Sequence, residues 1–289
     1  MSARAAAELA VVIVNFNTGT YLERCLASLE RHRGDIEIDV LVIDNASHDG
    51  SHTAALAAHP GARLIENPTN VYLSPAWNQG IRDTSAPFVL LLNPDVEWWH
   101  GTLADLVAVA KANPRAGMVG PMVRNSDGSI YESGRVFPRV TDAVGHAFLG
   151  TVRPDNRFTR RYHMDGWDRT TERTVDWISG CCMLVPREAF DEVGLLDEGF
   201  LLYGEELDLA TRLGEAGRSV IYTPEVEIVH EIGVSTGRSR RIIRMHSQSM
   251  LRYYGKHRAH GWRKMTVPLA WAALTLRADL EWLRGRFLK

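Results

Sequence analysis

Residues 9–16 read LAVVIVNF, a short apolar run rich in β-branched residues that ends at Asn17, Thr18 and Gly19. An apolar run of this length, bounded by turn-forming residues, predicts a β-strand. Leucines then follow at 22, 26 and 29 with helical spacing. The first unit is therefore a strand followed by a helix, and this unit decides the fold class.

The unit repeats along the first hundred residues. Further strands are predicted at 38–43, 63–66 and 88–92, and helical patterns occupy about 53–58 and 76–83. Strands that alternate with helices predict an α/β fold with a mostly parallel, Rossmann-like sheet, right-handed crossovers and flanking helices. Later predicted elements are helices at 101–113, 187–193 and 205–216, an apolar stretch at 175–185, and a strand at 219–222. Residues 127–174 give no secure pattern and are expected to include a mobile loop.

Polar side chains follow several predicted strands at their carboxyl ends: Asn15, Asn17, Asp44, Asn45, Asn93 and Asp95. Open α/β sheets bind ligands at that edge. The glycine-rich G-x-G-x-x-G and P-loop motifs are both absent, so any nucleotide must be held in another way. Asp44 can accept hydrogen bonds from a ribose or a base, or it can simply cap the turn that follows it.

Several later residues allow both a chemical and a structural explanation. Asp95 can bind a hard cation that bridges phosphates, or it can belong to a turn with Pro94. An acidic cluster, Glu205, Glu206 and Asp208, begins a predicted helix, where the helix dipole alone favours carboxylates. His230 ends an apolar stretch and can be a metal ligand or a hydrogen-bonded core group. Trp177 and Gly180 flank a tight turn, and the tryptophan can stack on a sugar ring or lie in the core.

Seven segments, taken in order, carry a family resemblance. They are VVIVNFN (11–17), VIDNASHDGS (42–51), LLNPDV (91–96), DWISG (176–180), LDEGF (196–200), YGEELDL (203–209) and HEIGVS (230–235). Together they resemble glycosyltransferase family 2, the inverting enzymes of the GT-A fold. The Asn-Pro-Asp-Val form is most similar to the rhamnosyltransferase-type members that build bacterial cell-surface polysaccharides.

The resemblance implies a role for each matching residue. Asp95 would be the remaining acid of the family's D-x-D motif and would hold a divalent cation, Mg²⁺ or Mn²⁺, and His230 would help to bind the metal or the diphosphate. Glu206 would be the base, with Glu205 as the fallback. The candidate residues for binding the donor nucleotide are Asn15, Asn17, Asp44, Asn45, Asn70, Asn78 and Asn93. The candidate acceptor-binding residues are Trp177, Gly180 and Asp208.

The chain departs from the family pattern at two places. The family usually has Glu-Asp where this chain has Glu205 and Glu206, so the base carboxylate is one methylene longer. At residues 70–74, NVYLS, the family commonly has a glycine after the asparagine and small residues beyond it. That segment lines the donor site in the family, so the identity of the donor sugar is open.

The implied function is metal-dependent, inverting transfer of a sugar, with rhamnose as a candidate, from a nucleoside diphosphate sugar to a hydroxyl of a cell-surface glycan or lipid-linked acceptor. Two rivals remain. A sugar nucleotidyltransferase should carry a basic phosphate-binding loop near its first strand, and none lies between Val11 and Tyr21. The other is a non-catalytic sugar-nucleotide or glycan-binding protein of the same fold.

Charge is distributed unevenly along the 289 residues, although the formal net charge is only -2. Residues 1–237 contain 20 Lys and Arg against 33 Asp and Glu, and residues 238–289 contain 13 against 2. We therefore expect a GT-A catalytic domain at 1–237 and a basic, amphipathic helical extension at 238–289. The extension suits an anionic membrane surface. The alternative is packing on the catalytic domain or on a second copy in a homodimer; nucleic acid is not expected without a recognised binding module.

The location in the cell is predicted from three features. Three cysteines without C-x-x-C spacing favour a reducing compartment. The apolar stretch near the N-terminus contains Glu8 and lacks a cleavage site, so no signal peptide is expected. The longest apolar run, 266–276, is too short to span a bilayer. We expect a cytoplasmic protein, peripheral on the inner face of the cell membrane.

Overall fold

The structure, a computed structural model, describes residues 7–137, 156, 160, 164, 166–231 and 239–287. The strands in chain order are β1 (Leu9–Asn15), β2 (Ile38–Asp44), β3 (Arg63–Glu66), β4 (Phe88–Leu92), β5 (Val96–His100), β6 (Ala116–Arg124), β7 (Ile130–Tyr131), β8 (Gly134–Arg135), β9 (Arg173–Val175), β10 (Trp177–Ile178), β11 (Cys182–Pro186) and β12 (Ser219–His230). The α-helices are α1 (Tyr21–Arg31), α2 (Ser51–Ala58), α3 (Leu73–Asp83), α4 (Leu103–Ala112), α5 (Arg187–Val193), α6 (Glu205–Glu215), α7 (Arg240–His257) and α8 (Val267–Phe287). A 3₁₀ helix, Gly261–Thr266, joins α7 to α8.

The main sheet has the strand order β3-β2-β1-β4-β11-β6-β12-β5, with β7 beside β6 and β9 beside β12. Its first four strands are parallel, as the strand and helix alternation predicts. Beyond β4 the sheet is mixed, because β11 runs antiparallel to both of its neighbours and β5 runs antiparallel to β12. β12 and β6 are parallel. The carboxyl ends of β1, β2, β4 and β12 consequently meet at one edge, together with the start of β11.

Two hydrophobic clusters cover the two faces of this sheet, and alternate strand residues contribute to each. In β4, Val89 and Leu91 pack toward α3, α5 and α6, whereas Leu90 and Leu92 pack toward α1 and α4. Because both faces are covered, the central strands are apolar throughout rather than alternating. The α1, α2 and α4 layer and the α3, α5 and α6 layer hold the sheet rigidly beneath its polar edge.

β6 lies in the middle of the sheet, although its sequence does not predict a strand. Gly117, Gly120 and Pro121 lower its β-propensity. The glycines are required by packing: a Cβ at Gly120 would lie 2.3 Å from the Cδ1 of Ile178, and one at Gly117 would lie 2.7 Å from a methyl of Leu213. Close approach of neighbouring side chains therefore outweighs local propensity here.

Other elements differ from the sequence prediction in extent. The apolar stretch at 175–185 is divided into β9, β10 and β11 by a turn. β12 continues through Pro224 to His230 with an irregularity in its pairing to β6, since proline cannot donate a ladder hydrogen bond. The mobile loop expected within 127–174 falls mainly on residues outside the described ones, as do residues 232–235 of the last motif and the domain boundary expected after 237.

The two C-terminal helices form a hairpin that packs on the sheet domain. Tyr253 of α7 is buried in the core, and its hydroxyl lies 3.0 Å from the Oγ1 of Thr211 in α6. Asp279 of α8 accepts hydrogen bonds from Arg240 and Arg244, so α8 runs back along α7. Of the helices that the structure describes, none combines the length and the apolarity needed to cross a membrane.

We predict that Gly80→Ala destabilises the fold although alanine is the better helix former. A Cβ at Gly80 in α3 would lie 2.2 Å from Cγ1 of Val12 in β1, and β-branched valine cannot move aside cheaply. Overpacking should cost about 1–3 kcal/mol, which exceeds the gain in helix propensity of about 1 kcal/mol. Chemical denaturation measures the difference.

The matched control is Gly255→Ala in α7, where nothing lies within 4 Å of the added Cβ. That variant should be as stable as the original chain or more stable by about 0.5–1 kcal/mol. Equal gains in both variants would show that α3 does not pack on β1 as described.

Candidate active site

A cavity of about 1100 Å³ opens at the polar edge of the sheet. It is lined by residues of β1, β10, β12 and the start of α6 and by the segment that follows β4, because these elements begin or end at that edge. The peptide N–H of Asn93 donates to the carbonyl of Cys181 at 2.9 Å, which joins the segment after β4 to the turn before β11. Nine residues predicted from the sequence line the cavity: Asn45, Asn70, Asn93, Asp95, Trp177, Gly180, Glu205, Glu206 and His230.

Asp95 and His230 form a buried pair within this cavity. His230 lies opposite Val96 in the antiparallel pairing of β12 with β5, and its Nε2 is 3.2 Å from Oδ1 of Asp95. Burial lowers the pKa of His230, but neighbouring Cys181 and Asp95 outweigh it and raise that pKa to about 11. A metal ion that bound Nε2 of His230 would have to displace a proton held on that nitrogen.

This pair fits a divalent cation that arrives with phosphate ligands. Oδ1 of Asp95 is buried and, despite the nearby imidazole, makes no well-formed hydrogen bond to any described residue. The described residues provide no cluster of three or more ligating His, Cys, Asp or Glu side chains. Mg²⁺ commonly takes only one or two carboxylates and completes its shell with water and substrate phosphates.

The first turn of α6 brings two carboxylates to the cavity. Gly204 precedes the helix with a φ of 87°, a conformation that favours glycine, and its N–H donates to Oε2 of Glu206 at 3.0 Å. Burial raises the pKa of both glutamates, and the charge of Glu206 raises the pKa of Glu205 further. Glu205 is 3% exposed and its Oε2 lacks a hydrogen-bond partner among the described residues. Glu206 is half-buried and is therefore the more accessible of the two.

Gly180 and Arg135 border the Glu206 carboxylate. A Cβ at Gly180 would lie 3.7 Å from the carboxyl carbon of Glu206, so glycine leaves the space beside that carboxylate open. The charge of Arg135 acts against burial and lowers the pKa of Glu206. The guanidinium of Arg135 lies 5.3 Å from the ring centre of Tyr131 and 5.0 Å from that of Trp177. Arg135 lies in the region without a secure sequence pattern, so no motif pointed to it.

Trp177 lies partly at the cavity and mostly in the core, so both roles that the sequence allows apply to it. It lines the cavity, but it is only 5% exposed, and its indole N–H donates to the carbonyl of Val136 at 3.1 Å. Most of the side chain belongs to the core, and it supports Arg135 by stacking. Its contact with a ligand is limited to the part that reaches the cavity.

Three predicted donor residues stabilise the turn after β2 and do not line the cavity. Asp44 accepts hydrogen bonds from Nδ2 of Asn15 at 2.7 Å and from the N–H of Ser47 at 2.9 Å. This is the capping geometry that the sequence allows for Asp44. Asn17 is exposed, and its N–H donates to Oγ of Ser47 at 3.0 Å.

The segment that departs from the family pattern places Tyr72 at the cavity. Asn45 donates from Nδ2 to the carbonyl of Tyr72 at 3.1 Å, and Oδ1 of Asn70 accepts from the Tyr72 N–H at 2.8 Å. These bonds hold Tyr72 at a φ of 69°, which is unusual for a non-glycine residue. Tyr72 itself was not predicted as a site residue; its departure from the family pattern was the only signal.

Asn78 and Asp208 lie outside the cavity and serve packing in the structure. Asn78 exchanges two hydrogen bonds with the backbone of Leu196, at 2.9 and 3.1 Å. Asp208 is fully buried, and its Oδ1 lies 2.6 Å from Nε2 of His257 and 2.7 Å from Nζ of Lys256. Asp208 follows Glu205 and Glu206 closely in sequence, but the helix directs the Asp208 side chain toward α7.

The chain matches known proteins along most of its length. Residues 10–194 match the family described as Glycosyl transferase family 2. The chain is 37% identical over 284 residues to an N-acetylglucosaminyl-diphospho-decaprenol L-rhamnosyltransferase of Mycobacterium tuberculosis, covering 94% of this chain and 90% of that protein.

Two solved structures share the fold at low sequence identity. A mannosyltransferase from Pyrobaculum calidifontis, in complex with GDP-Man and Mn²⁺, has a TM-score of 0.58 and 17% identity over 98% of this chain and 80% of its own. GalNAc-T7, with UDP, GalNAc and Mn²⁺, has a TM-score of 0.60 and 15% identity over 86% of this chain and 48% of its own.

The chain thus has the α/β GT-A fold that these two glycosyltransferases share. The chain belongs to glycosyltransferase family 2. The resemblance read from the sequence motifs is confirmed, and the rival nucleotidyltransferase and non-catalytic functions are set aside.

We predict that Glu205→Gln changes how stability depends on pH. Because burial and Glu206 raise the pKa of Glu205 in the folded state, the folded chain holds this proton more tightly than the unfolded chain. The stabilisation is complete below the unfolded pKa of about 4.3 and is lost as pH rises toward the folded pKa. Glutamine does not titrate, so the variant should gain stability relative to the original chain as pH rises above about 4.3.

Thermal unfolding from pH 4 to pH 8 measures the difference in stability between the variant and the original chain. Glu215→Gln, at the exposed end of the same helix, is the control and should keep a constant difference from the original chain. A loss of stability by Glu205→Gln relative to the original chain as pH rises would contradict the described burial.

Proposed function

We propose that this glycosyltransferase moves a rhamnosyl group from a nucleoside diphosphate sugar to a hydroxyl of N-acetylglucosamine carried on a polyprenyl diphosphate. One observation carries the proposal. A single cavity holds Glu206 and the Asp95 and His230 pair, in a chain 37% identical over nearly its whole length to an enzyme named for that transfer. The proposal is finer than the family alone, because family members differ in donor and acceptor.

Glu206 is proposed as the base in a single displacement. The acceptor hydroxyl attacks the anomeric carbon from the face opposite the leaving diphosphate, so the configuration inverts and no covalent enzyme intermediate forms. A raised pKa makes a carboxylate a stronger base, provided that it is ionised at the working pH. Arg135 favours the ionised form of Glu206. Glu205, which is deeper and repelled by Glu206, is the fallback base.

Asp95 and His230 are proposed to hold Mg²⁺ or Mn²⁺. A divalent cation there would supply charge stabilisation to the leaving diphosphate. The mannosyltransferase that shares this fold was solved with Mn²⁺ and a nucleotide sugar. Asn45, Asn70 and Asn93 line the same cavity and are proposed to bind the donor, while Asp44, Asn15 and Asn17 hold the turn that positions Asn45. Gly180 and Trp177 are proposed to border the acceptor sugar.

We predict metal-dependent release of nucleoside diphosphate from dTDP-rhamnose that is stimulated by N-acetylglucosaminyl-diphospho-polyprenol. Chelator should abolish release, and Asp95→Ala should abolish transfer while leaving the thermal transition in place. Glu206→Gln should lower kcat by about 10²–10⁴-fold with donor binding kept, because proton transfer is lost. A panel of UDP-sugars and GDP-sugars is tested in parallel.

Asp127→Ala, which removes an exposed carboxylate from the turn before β7, is the control and should retain full activity. Unchanged turnover in Asp95→Ala would overturn the metal assignment. A larger loss in Glu205→Gln than in Glu206→Gln would make Glu205 the base. Transfer from another donor alone would replace rhamnose.

An anionic membrane surface is the proposed partner of the α8 side of the C-terminal hairpin. Trp262 and Met265 of the 3₁₀ helix are 73% and 81% exposed, and Leu269 and Leu276, seven residues apart on α8, are exposed as well. Exposed Arg263 and Lys264 lie among them. Apolar side chains beside cations match a lipid surface with anionic headgroups. A chain bound there, peripheral on the cytoplasmic face, would lie beside a lipid-linked acceptor.

The α7 side of the hairpin does not need a membrane, since it packs on the catalytic body. Arg252 and Lys256 lie 2.7 Å from the two oxygens of Asp197, and His257 contacts Asp208. The proposal therefore separates the two helices: α7 is fastened to the domain, and α8 with the 3₁₀ helix presents the lipid-facing residues.

We predict that Trp262→Ser with Met265→Ser lowers binding to phosphatidylglycerol-containing vesicles at least fivefold, measured by flotation. High salt should weaken binding of the original chain, because it screens the cations of the protein. Pure phosphatidylcholine vesicles should also bind the chain more weakly, because they offer no anionic headgroups to those cations. Trp99→Ser, which removes an exposed tryptophan from β5, is the control and should bind normally. A doubled mass in solution that the double variant abolishes, without vesicle binding, would make this surface a homodimer interface instead.

A further inference from the structure

One wall of the cavity comes from α7 and differs in chemistry from the polar floor formed by the strand ends. Ile242, Met245 and Met250 give this wall an apolar character, and Leu201 and Leu202 continue it. Oγ of Ser249 donates to the carbonyl of Leu202 at 2.9 Å, which fastens the helix to that loop. Methionine side chains adapt to irregular apolar ligands. Apart from Arg241 and His246, the α7 residues at the cavity are apolar, so this wall is suited to hydrocarbon.

Arg241 is a cation of this wall, and within the described part of the chain no carboxylate pairs with it. Its Nη2 donates to the hydroxyl of Tyr72 at 2.5 Å, and no carboxylate among the described residues lies within ion-pairing distance. Its neighbours on α7 differ, since Arg240 and Arg244 both pair with Asp279. Arg241 is exposed and lines the cavity, so it places an uncompensated guanidinium at the cavity rim.

Tyr72 fixes the position of that guanidinium. The Arg241 guanidinium lies 6.0 Å from the centre of the Tyr72 ring as well as bonding its hydroxyl. Tyr72 is in turn held by Asn45 and Asn70. A guanidinium held by one hydrogen bond keeps donors for an anion, and arginine binds phosphate oxygens in a two-pronged geometry.

We propose that Arg241 binds the diphosphate of a polyprenyl-linked acceptor and that the apolar α7 wall contacts the first part of its hydrocarbon chain. This inference rests on the proposed function for the identity of the acceptor. A nucleoside diphosphate sugar has no hydrocarbon part, so the apolar neighbours of Arg241 favour the acceptor over the donor. Binding there would fix the lipid end of the acceptor and direct its sugar toward Glu206 in the same cavity.

Steady-state kinetics test the assignment. Arg241→Gln should raise the KM for N-acetylglucosaminyl-diphospho-polyprenol at least tenfold and leave the donor KM within twofold. An alkyl N-acetylglucosaminide, which lacks the diphosphate, should be used equally well by the variant and the original chain. Tyr72→Phe should raise the diphosphate acceptor KM by a smaller factor, because the guanidinium loses its hydroxyl partner but keeps its charge. Arg244→Gln, one turn away and paired with Asp279, is the matched control and should change neither KM.

Direct binding separates this inference from the proposed function. Farnesyl diphosphate, without donor, should bind the original chain and the Arg244→Gln variant, and Arg241→Gln should weaken its binding at least tenfold in calorimetry. That result would support the subsite even if transfer to N-acetylglucosamine failed. Equal binding by Arg241→Gln, a rise in donor KM instead of acceptor KM, or equal losses on the charged and uncharged acceptors would overturn it.

Discussion

The antiparallel pairing of β12 with β5 is the constraint on which the site depends. It puts His230, at the end of one strand, beside Asp95, which immediately precedes the other, and the two side chains meet at 3.2 Å. Neither residue can move alone, because β12 also pairs with β6 in the interior of the sheet. The sheet is covered on both faces, so its edge is a rigid platform. The buried carboxylate and imidazole are therefore already in position before a charged ligand binds, and the ligand does not have to bring them together.

A layer of hydrogen bonds around this platform turns loop residues into fixed parts of the cavity. Asp44 caps the turn after β2, Asn45 holds the carbonyl of Tyr72, and Asn70 holds its N–H. These amide groups are thereby satisfied within the protein, which costs little stability and fixes this side of the cavity. The side-chain amides of Asn45 and Asn70 bind the backbone of Tyr72, and in this way they place the Tyr72 side chain at the cavity.

Helix α7 packs the C-terminal extension onto the domain that contains the cavity. Asp197 and Asp208 bind its cations, Tyr253 enters the core, and its other end lines the cavity through Arg241. The excess positive charge of the extension is thus partly used for internal pairing. Of the other described cations, Arg241 lies at the cavity rim and Arg263 and Lys264 are exposed on the 3₁₀ helix, where anionic lipid chemistry is proposed. The charge count by itself could not distinguish these uses.

The sequence by itself determined the α/β class, the first four strands and the family, because buried parallel strands are continuous apolar runs and the motifs follow them directly. It also predicted nine of the cavity-lining residues, several of them at strand ends that share one edge of the sheet. Only the tertiary structure decided the rest. β6 forms despite two glycines because Ile178 and Leu213 fill their space. Arg135, Tyr72 and Arg241 reach the cavity from distant segments, while Asp208 turns away from it toward α7, and local spacing does not encode which neighbour a side chain meets.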